Sequence, residues 1–142
     1  MLWITAFFNI LTNILILWSD HKRLHLQILS ESILDVAILL STLRITLYWN
    51  NLQSRFEQTA TAIFGSNVIF GSMVAILSSN NSDSFTNEIW LLLLLGLLIW
   101  QFLVLGHILR HAFDISLSPA IIMGVAYILL SYAVLNTIFS IM

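Results

Sequence analysis

The stretch Ile89–Leu109, IWLLLLLGLLIWQFLVLGHIL, runs for twenty-one residues without a formal charge at neutral pH, broken only by Gly96, Gln101, Gly106 and His107. At a rise of about 1.5 Å per residue it reaches across a hydrocarbon core about 30 Å thick. A soluble domain of this size has no interior large enough to hide a helix of that length and apolarity on every side. The stretch is therefore read as a membrane span, and the rest of the chain is read outward from it.

Composition carries the same message. Hydrophobic residues make up 59% of the 142 and charged residues 8%, so a soluble domain could not cover its apolar surface. The absence of cysteine excludes disulfide frameworks and thiolate metal sites. The net charge is −2 and the five basic residues are scattered, which leaves no row of cations for phosphates and argues against nucleic acid as a partner. The chain opens in MLWITAFFNILTNILILW, with neither a basic leader nor a small-residue cleavage site, which predicts a retained span rather than a signal peptide. No segment is polar or Pro/Gly-rich enough to be a linker, so residues 1–142 are read as a single integral membrane domain.

Five helices are expected, over 2–18, 28–49, 59–79, 89–111 and 119–141. The first is flanked by Trp3 and Trp18, placed as an interfacial aromatic belt would be. The last begins at Ser118-Pro119, a pairing of N-cap and first helical position. The second is the contested one, because Glu31, Asp35 and Arg44 interrupt an apolar run. Each apolar residue contributes about −0.3 to −0.6 kcal/mol to insertion and a central charge costs about +2.5 to +3.5, so the sum is close to zero. Glu31 and Arg44 lie near opposite ends and can snorkel, which leaves Asp35 as the main cost. At 100° per residue Glu31, Asp35, Thr42 and Thr46 form one polar stripe with Arg44 on the far side.

Charge placement bears on the same choice. If 28–49 lies in the interface as an amphipathic helix, Lys22, Arg23, Arg44, Arg55 and Arg110 share one side, and the acidic hairpin Asn80–Glu88 takes the other. If it spans, Lys22 and Arg23 oppose Arg44, Arg55 and Arg110. The expected fold is an all-α polytopic bundle of five transmembrane helices, the alternative being four spans plus one interfacial helix.

Two motifs favour the five-span choice: Arg55-Phe56-x-Gln58-Thr59-x-Thr61-Ala62-x-x-Gly65, leading into the third helix, and Gly106-His107-Ile108-Leu109-Arg110-His111-Ala112, leaving the fourth. They resemble a group of small bacterial inner-membrane proteins of no settled role that look similar to the Yip family of five-span membrane proteins. The resemblance covers most of the chain and implies an architecture rather than an activity. It implies that the helix before Arg55-Phe56 spans, that both basic turns face the cytoplasm, and that the protein sits in the inner membrane as a multi-pass protein. The chain departs from that pattern by placing Lys22 and Arg23 in what would be an external loop.

Asp35 is the first candidate for a functional ionisable group, because an acid inside a membrane helix lines a pathway or pairs with a partner. Asn9, Asn13, Asn67, Gln101, Tyr132 and Asn136 are its possible partners. Two uses are open: a proton or ion relay, or hydrogen bonds that hold helices together, the second being favoured. Small residues spaced for close helix approach mark packing surfaces at Thr61, Gly65 and Ser72, at Gly71 and Ala75, and at Ala120 and Gly124. Arg55 and Arg110 are candidates for a partner-docking surface or for plain anchoring of helix ends. The pairs His21/His25 and His107/His111 are each spaced four apart, and Asp114 extends the second pair on the same helix face, a spacing that metal ligands use. Histidines at a membrane boundary also bond headgroups, water or backbone, and no cofactor is expected; a metal or haem at His107, His111 and Asp114 is the lesser alternative.

No nucleophile–base or paired-acid pattern stands out, so an enzyme is not expected. The favoured function is a multi-pass membrane protein without catalysis that packs with itself or with a larger membrane complex. The alternatives are a small oligomeric transporter or channel using Asp35, and a histidine-ligated metal or haem protein.

Overall fold

The computed structural model of the protein describes residues 1–18, 25–79 and 87–139, and no strand occurs among them. Five α-helices follow one another: α1 (Leu2–Trp18), α2 (His25–Trp49), α3 (Phe56–Ser79), α4 (Asn87–Phe113) and α5 (Leu117–Phe139). A short 3-10 turn, Gln53–Arg55, leads into α3. Long helices are what such a composition can form in an apolar medium, since only a helix satisfies its backbone polar groups within one segment.

Four stretches are long and apolar enough to cross a membrane: Leu29–Trp49, Gln53–Leu77, Glu88–Phe113 and Leu117–Ile138. The charged second helix is thus one of the four, through a stretch of 21 residues within a helix of 25. The short one is α1, at 17 residues. At the other end of the chain α5 starts at Leu117, two residues before the expected start. Ala120 N–H donates to Ser116 O at 3.4 Å, so Ser116 rather than Ser118 precedes the helix. Pro119 is then the third helical residue, still inside the first turn, where its missing N–H has no intrahelical acceptor to lose.

The helices form one bundle in which α1 packs on α3 and α2, α4 packs on α5 and α3, and α2 also meets α5. The α2 contribution to the core is Val36, Leu39, Leu43 and Leu47, at the three- and four-residue steps of one helix face. Ala6, Ala60, Ile63, Phe64, Leu105, Leu109 and Ala120 close on it. The opposite, lipid-facing character is clearest in α4, where Leu91, Leu92, Leu95, Leu98, Ile99, Trp100 and Leu103 are all exposed.

The buried residues of α4, from Leu105 to Ala112, all lie in its C-terminal half, so the bundle is tight at that end. Close approach of α4 and α5 there depends on glycine. A Cβ on Gly106 would stand 2.5 Å from Ile121 Cγ1 and 3.4 Å from Ile121 Cα, and one on Gly124 would stand 3.0 Å from Leu105 Cδ2. Two matching turns finish the same end. After α2, Leu52 N–H donates to Leu47 O at 2.9 Å and Asn51 N–H to Tyr48 O at 3.1 Å, with Asn51 left-handed at φ 57°. After α4, Ile115 N–H donates to Arg110 O at 3.2 Å with Asp114 at φ 53°. Both are Schellman endings, with Asn or Asp taking the position that glycine usually fills. Leu52 and Ile115, which follow those residues, pack against the core and tuck each turn under the bundle.

Candidate functional site

Halfway along the bundle, α2, α3, α4 and α5 part around a partly enclosed cavity of about 430 Å³. Its polar lining is Glu31, Ser32 and Asp35 from α2, Asn67 from α3, Gln101 from α4, and Tyr127, Ser131 and Tyr132 from α5. Asp35, Asn67, Gln101 and Ser131 lie 14, 11, 12 and 14 residues from the tight ends of their helices, which places all four roughly 17–21 Å along the bundle. Residues far apart in sequence therefore meet at one depth, because successive helices of the bundle run in opposite directions.

Asp35 is half-buried, and its Oδ1 accepts a hydrogen bond of 2.6 Å from Ser131 Oγ. That bond joins α2 to α5 and lies at the short end of the range for a hydroxyl, as expected with a carboxylate acceptor. Ser131 itself is buried at 6% exposure. Glu31 stands one turn before Asp35 on the same face of α2. Apart from these two acids the described lining is neutral, with no Lys, Arg or His. Such a chamber offers two carboxylates, two amides, hydroxyls and the faces of Tyr127, Tyr132 and Phe102. Its volume lies in the range of small-molecule pockets. Chemically it suits a ligand that carries positive charge or hydrogen-bond donors.

The polar stripe of α2 divides between two places. Glu31 and Asp35 line this cavity, and Thr42 and Thr46 face a second, apolar one nearer the tight end. Arg44, on the other side of the helix, is exposed. Of the remaining sequence candidates, Tyr132 lines the polar cavity, whereas Asn136 is exposed and away from it. Asn9 is buried on α1, and the side chain of Asn13 lies outside the described residues. Ser131 and Tyr127 were not singled out in the sequence. The signal was present in the face of α5 that carries Ala120, Gly124, Tyr127 and Ser131 at helical spacing, which continues a small-residue packing seam into two hydroxyls.

The packing candidates divide as well. Ala120 is fully buried and Gly124 sits against Leu105 and Leu109. Gly65 has nothing within 4 Å of the place a Cβ would occupy. Thr61, Gly71 and Ala75 are half-buried, and Ser72 is exposed with its hydroxyl bonded to Val68 O at 2.7 Å.

At the tight end Arg55 reaches across to the last turn of α4. Its Nη1 donates to His111 O at 2.8 Å and to Ala112 O at 3.3 Å, and lies 2.8 Å from Asp114 Oδ2. The guanidinium thus satisfies carbonyls that a helix end leaves open, with the sign of charge that such an end favours. Arg110 is exposed beside it. The rings of His107 and His111 meet edge to face with centroids 4.6 Å apart. Asp114 is turned to Arg55 instead, and no group of three His, Asp or Glu side chains that could hold a metal ion occurs among the described residues. The His21/His25 pair lies outside the side chains described.

Compared with protein-family models, curated proteins and solved structures, the chain matches none.

Proposed function

We propose that the protein is a multi-pass inner-membrane protein without catalysis of its own, which binds a small cationic solute midway across the bilayer in an oligomeric carrier or channel. One observation carries this reading: Asp35, Glu31, Asn67, Gln101 and Ser131, drawn from four helices, line one cavity large enough for a ligand. Acids placed inside a membrane helix carry a large insertion cost, and a cationic ligand offsets it. The inner membrane comes from the resemblance of the Arg55 and Gly106–Ala112 motifs. The gathering of Arg44, Arg55 and Arg110 at one end supports a cytoplasmic placing of that end.

Binding of radiolabelled tetramethylammonium to the purified protein in lipid nanodiscs tests the reading. Wild type should bind saturably, and Asp35→Asn should weaken binding about tenfold or more, as loss of a charged partner does. Equal binding by the two proteins, or none by either, overturns it.

A second reading is favoured by the Ser131–Asp35 bond: the acid ties α2 to α5 in a structural or accessory component of a membrane complex, as polar side chains do between membrane helices. In that case Asp35→Asn lowers thermal stability and wild type binds no cation.

A further inference from the structure

At the tight end an open groove of about 520 Å³ lies between the start of α3 and the end of α4. Arg55 and Gln58 stand on its α3 side, and His107, His111 and Asp114 on its α4 side. It shares no lining residue with the acid-lined cavity midway along the bundle. The apolar stretches that flank it, Gln53–Leu77 and Glu88–Phe113, are long enough to cross a membrane. Arg55, Gln58, His107 and His111 all lie within about two turns of where the first stretch begins or the second ends, the level at which lipid headgroups sit. Arg55 makes its contacts to His111 O, Ala112 O and Asp114 through Nη1, which leaves Nη2 and Nε without an acceptor among the described residues. His107 and His111 touch each other ring to ring, and neither they nor the exposed Gln58 have a hydrogen-bond partner among the described residues. Asp114 is exposed, with Oδ2 against Arg55 and Oδ1 open.

We infer that this groove seats the head of a bilayer phospholipid that carries a primary ammonium. The phosphate accepts hydrogen bonds from Arg55, Gln58 and the two imidazoles, and the ammonium donates to Asp114. Three features select this class. A cluster of open donors around a guanidinium suits a phosphate, which a planar fork recognises better than a point charge does. Asp114 stands 2.8 Å from that guanidinium, so the two charges cancel and a purely anionic head meets a carboxylate where it meets the arginine. A zwitterion places its own cation there, and a primary ammonium has N–H groups to donate where a quaternary one has none. The third feature is the wall supplied by Ala62 and Ile108, which suits an acyl chain and has nothing to offer free phosphate. The inference is separate from the solute reading above and neither depends on the other.

The test is native mass spectrometry of the detergent-purified protein titrated with phosphatidylethanolamine, phosphatidylcholine and phosphatidylglycerol of identical acyl chains. Wild type should hold the ethanolamine lipid about tenfold more tightly than either of the others, the step that one hydrogen bond to a charged group supplies. Asp114→Asn removes the carboxylate and keeps the turn, since asparagine accepts a left-handed backbone and Asn51 already holds one at φ 57° in the matching turn. That variant should lose the preference for ethanolamine and bind the glycerol lipid more tightly than wild type does, a reversal that a folding defect does not produce. His107→Ala, at an exposed position, should weaken all three lipids by a similar factor, because each carries the phosphate. Glycerophosphoethanolamine, the same head without chains, should not displace the bound lipid at equal concentration. Equal binding of the three lipids by wild type, or no retained lipid, overturns the inference. So does an ethanolamine preference that survives Asp114→Asn, lipid binding that is indifferent to His107→Ala, or displacement by the chainless head.

Discussion

Two side chains show how a single residue acts here through what it meets across the bundle. Ser131, one hydroxyl on an otherwise apolar stretch of α5, gains its meaning from the 2.6 Å bond to Asp35. Arg55 gains its own from the end of α4, where it covers two carbonyls and faces Asp114. The carboxylate part of that contact is exposed on both sides and adds little, within about 1 kcal/mol. Hydrogen bonds from a charged donor to otherwise open carbonyls weigh more, at about 1.5–3 kcal/mol, reduced here by partial exposure. Arg55→Ala should therefore lower the unfolding free energy in detergent by about 1–2 kcal/mol. Arg55→Lys should restore only part of it, because an ammonium cannot fork across carbonyls and carboxylate together. Unchanged stability in Arg55→Ala would reduce the contact to an ornament of the surface. The arginine was legible in the sequence as an anchor at a helix end, but its acceptor, fifty-six residues away, was not.

Among the helices, small-residue spacing alone did not say which surfaces pack. The seam of Thr61, Gly65 and Ser72 and the pair Ala120 and Gly124 look alike as text, yet only the second lies against a neighbouring helix at the closest distances. Gly106 belongs with it, since its missing Cβ is what lets Ile121 approach. This predicts opposite outcomes for one substitution. Gly106→Ala should destabilise the bundle by about 1–3 kcal/mol through overpacking at α5. Gly65→Ala should be neutral or stabilising by up to about 1 kcal/mol, because an open helical site gains alanine's propensity without a clash. Thermal unfolding of the two variants in the same detergent checks this, and equal effects would remove the distinction. The polar stripe of α2 was more legible. Periodicity placed Glu31, Asp35, Thr42 and Thr46 on one side and Arg44 on the other, and all four of the former are half-buried while Arg44 is exposed. A regular 100° step is a local property, so it survives whatever the helix packs against.

Among the described residues the bundle has a tight end, where α2 and α4 finish, and parts around a cavity midway along. Two Schellman turns, Arg55 and the Gly106–Ile121 contact close the first, while the acid-lined cavity opens further along. If α2 crosses the membrane, the turn after α4 and the start of α2 are expected on opposite sides. The lack of native cysteine makes this directly measurable. Cysteines introduced singly at Arg23 and at Ser116, the latter exposed in the turn before α5, should label from opposite sides of intact cells. Labelling from the same side would return α2 to the interface and take apart the cavity it lines. Ala112, close by in sequence, is unsuitable for such a probe because it is buried at 4% exposure.

What the sequence by itself determined is the helical class, the approximate bounds of the five helices and the side of α2 that carries its polar groups. All of these follow from composition and from a repeat of 3.6 residues, which depend on near neighbours alone. Only the tertiary structure decided that Asp35 meets Ser131, that Asn67 and Gln101 share its chamber, that an apolar chamber adjoins it, and that Gly106 rather than Gly65 sets a helix contact. Those depend on which helices are adjacent and how far each is shifted along its axis. A slide of one turn, about 5.4 Å, would change every such pairing without altering a single helix.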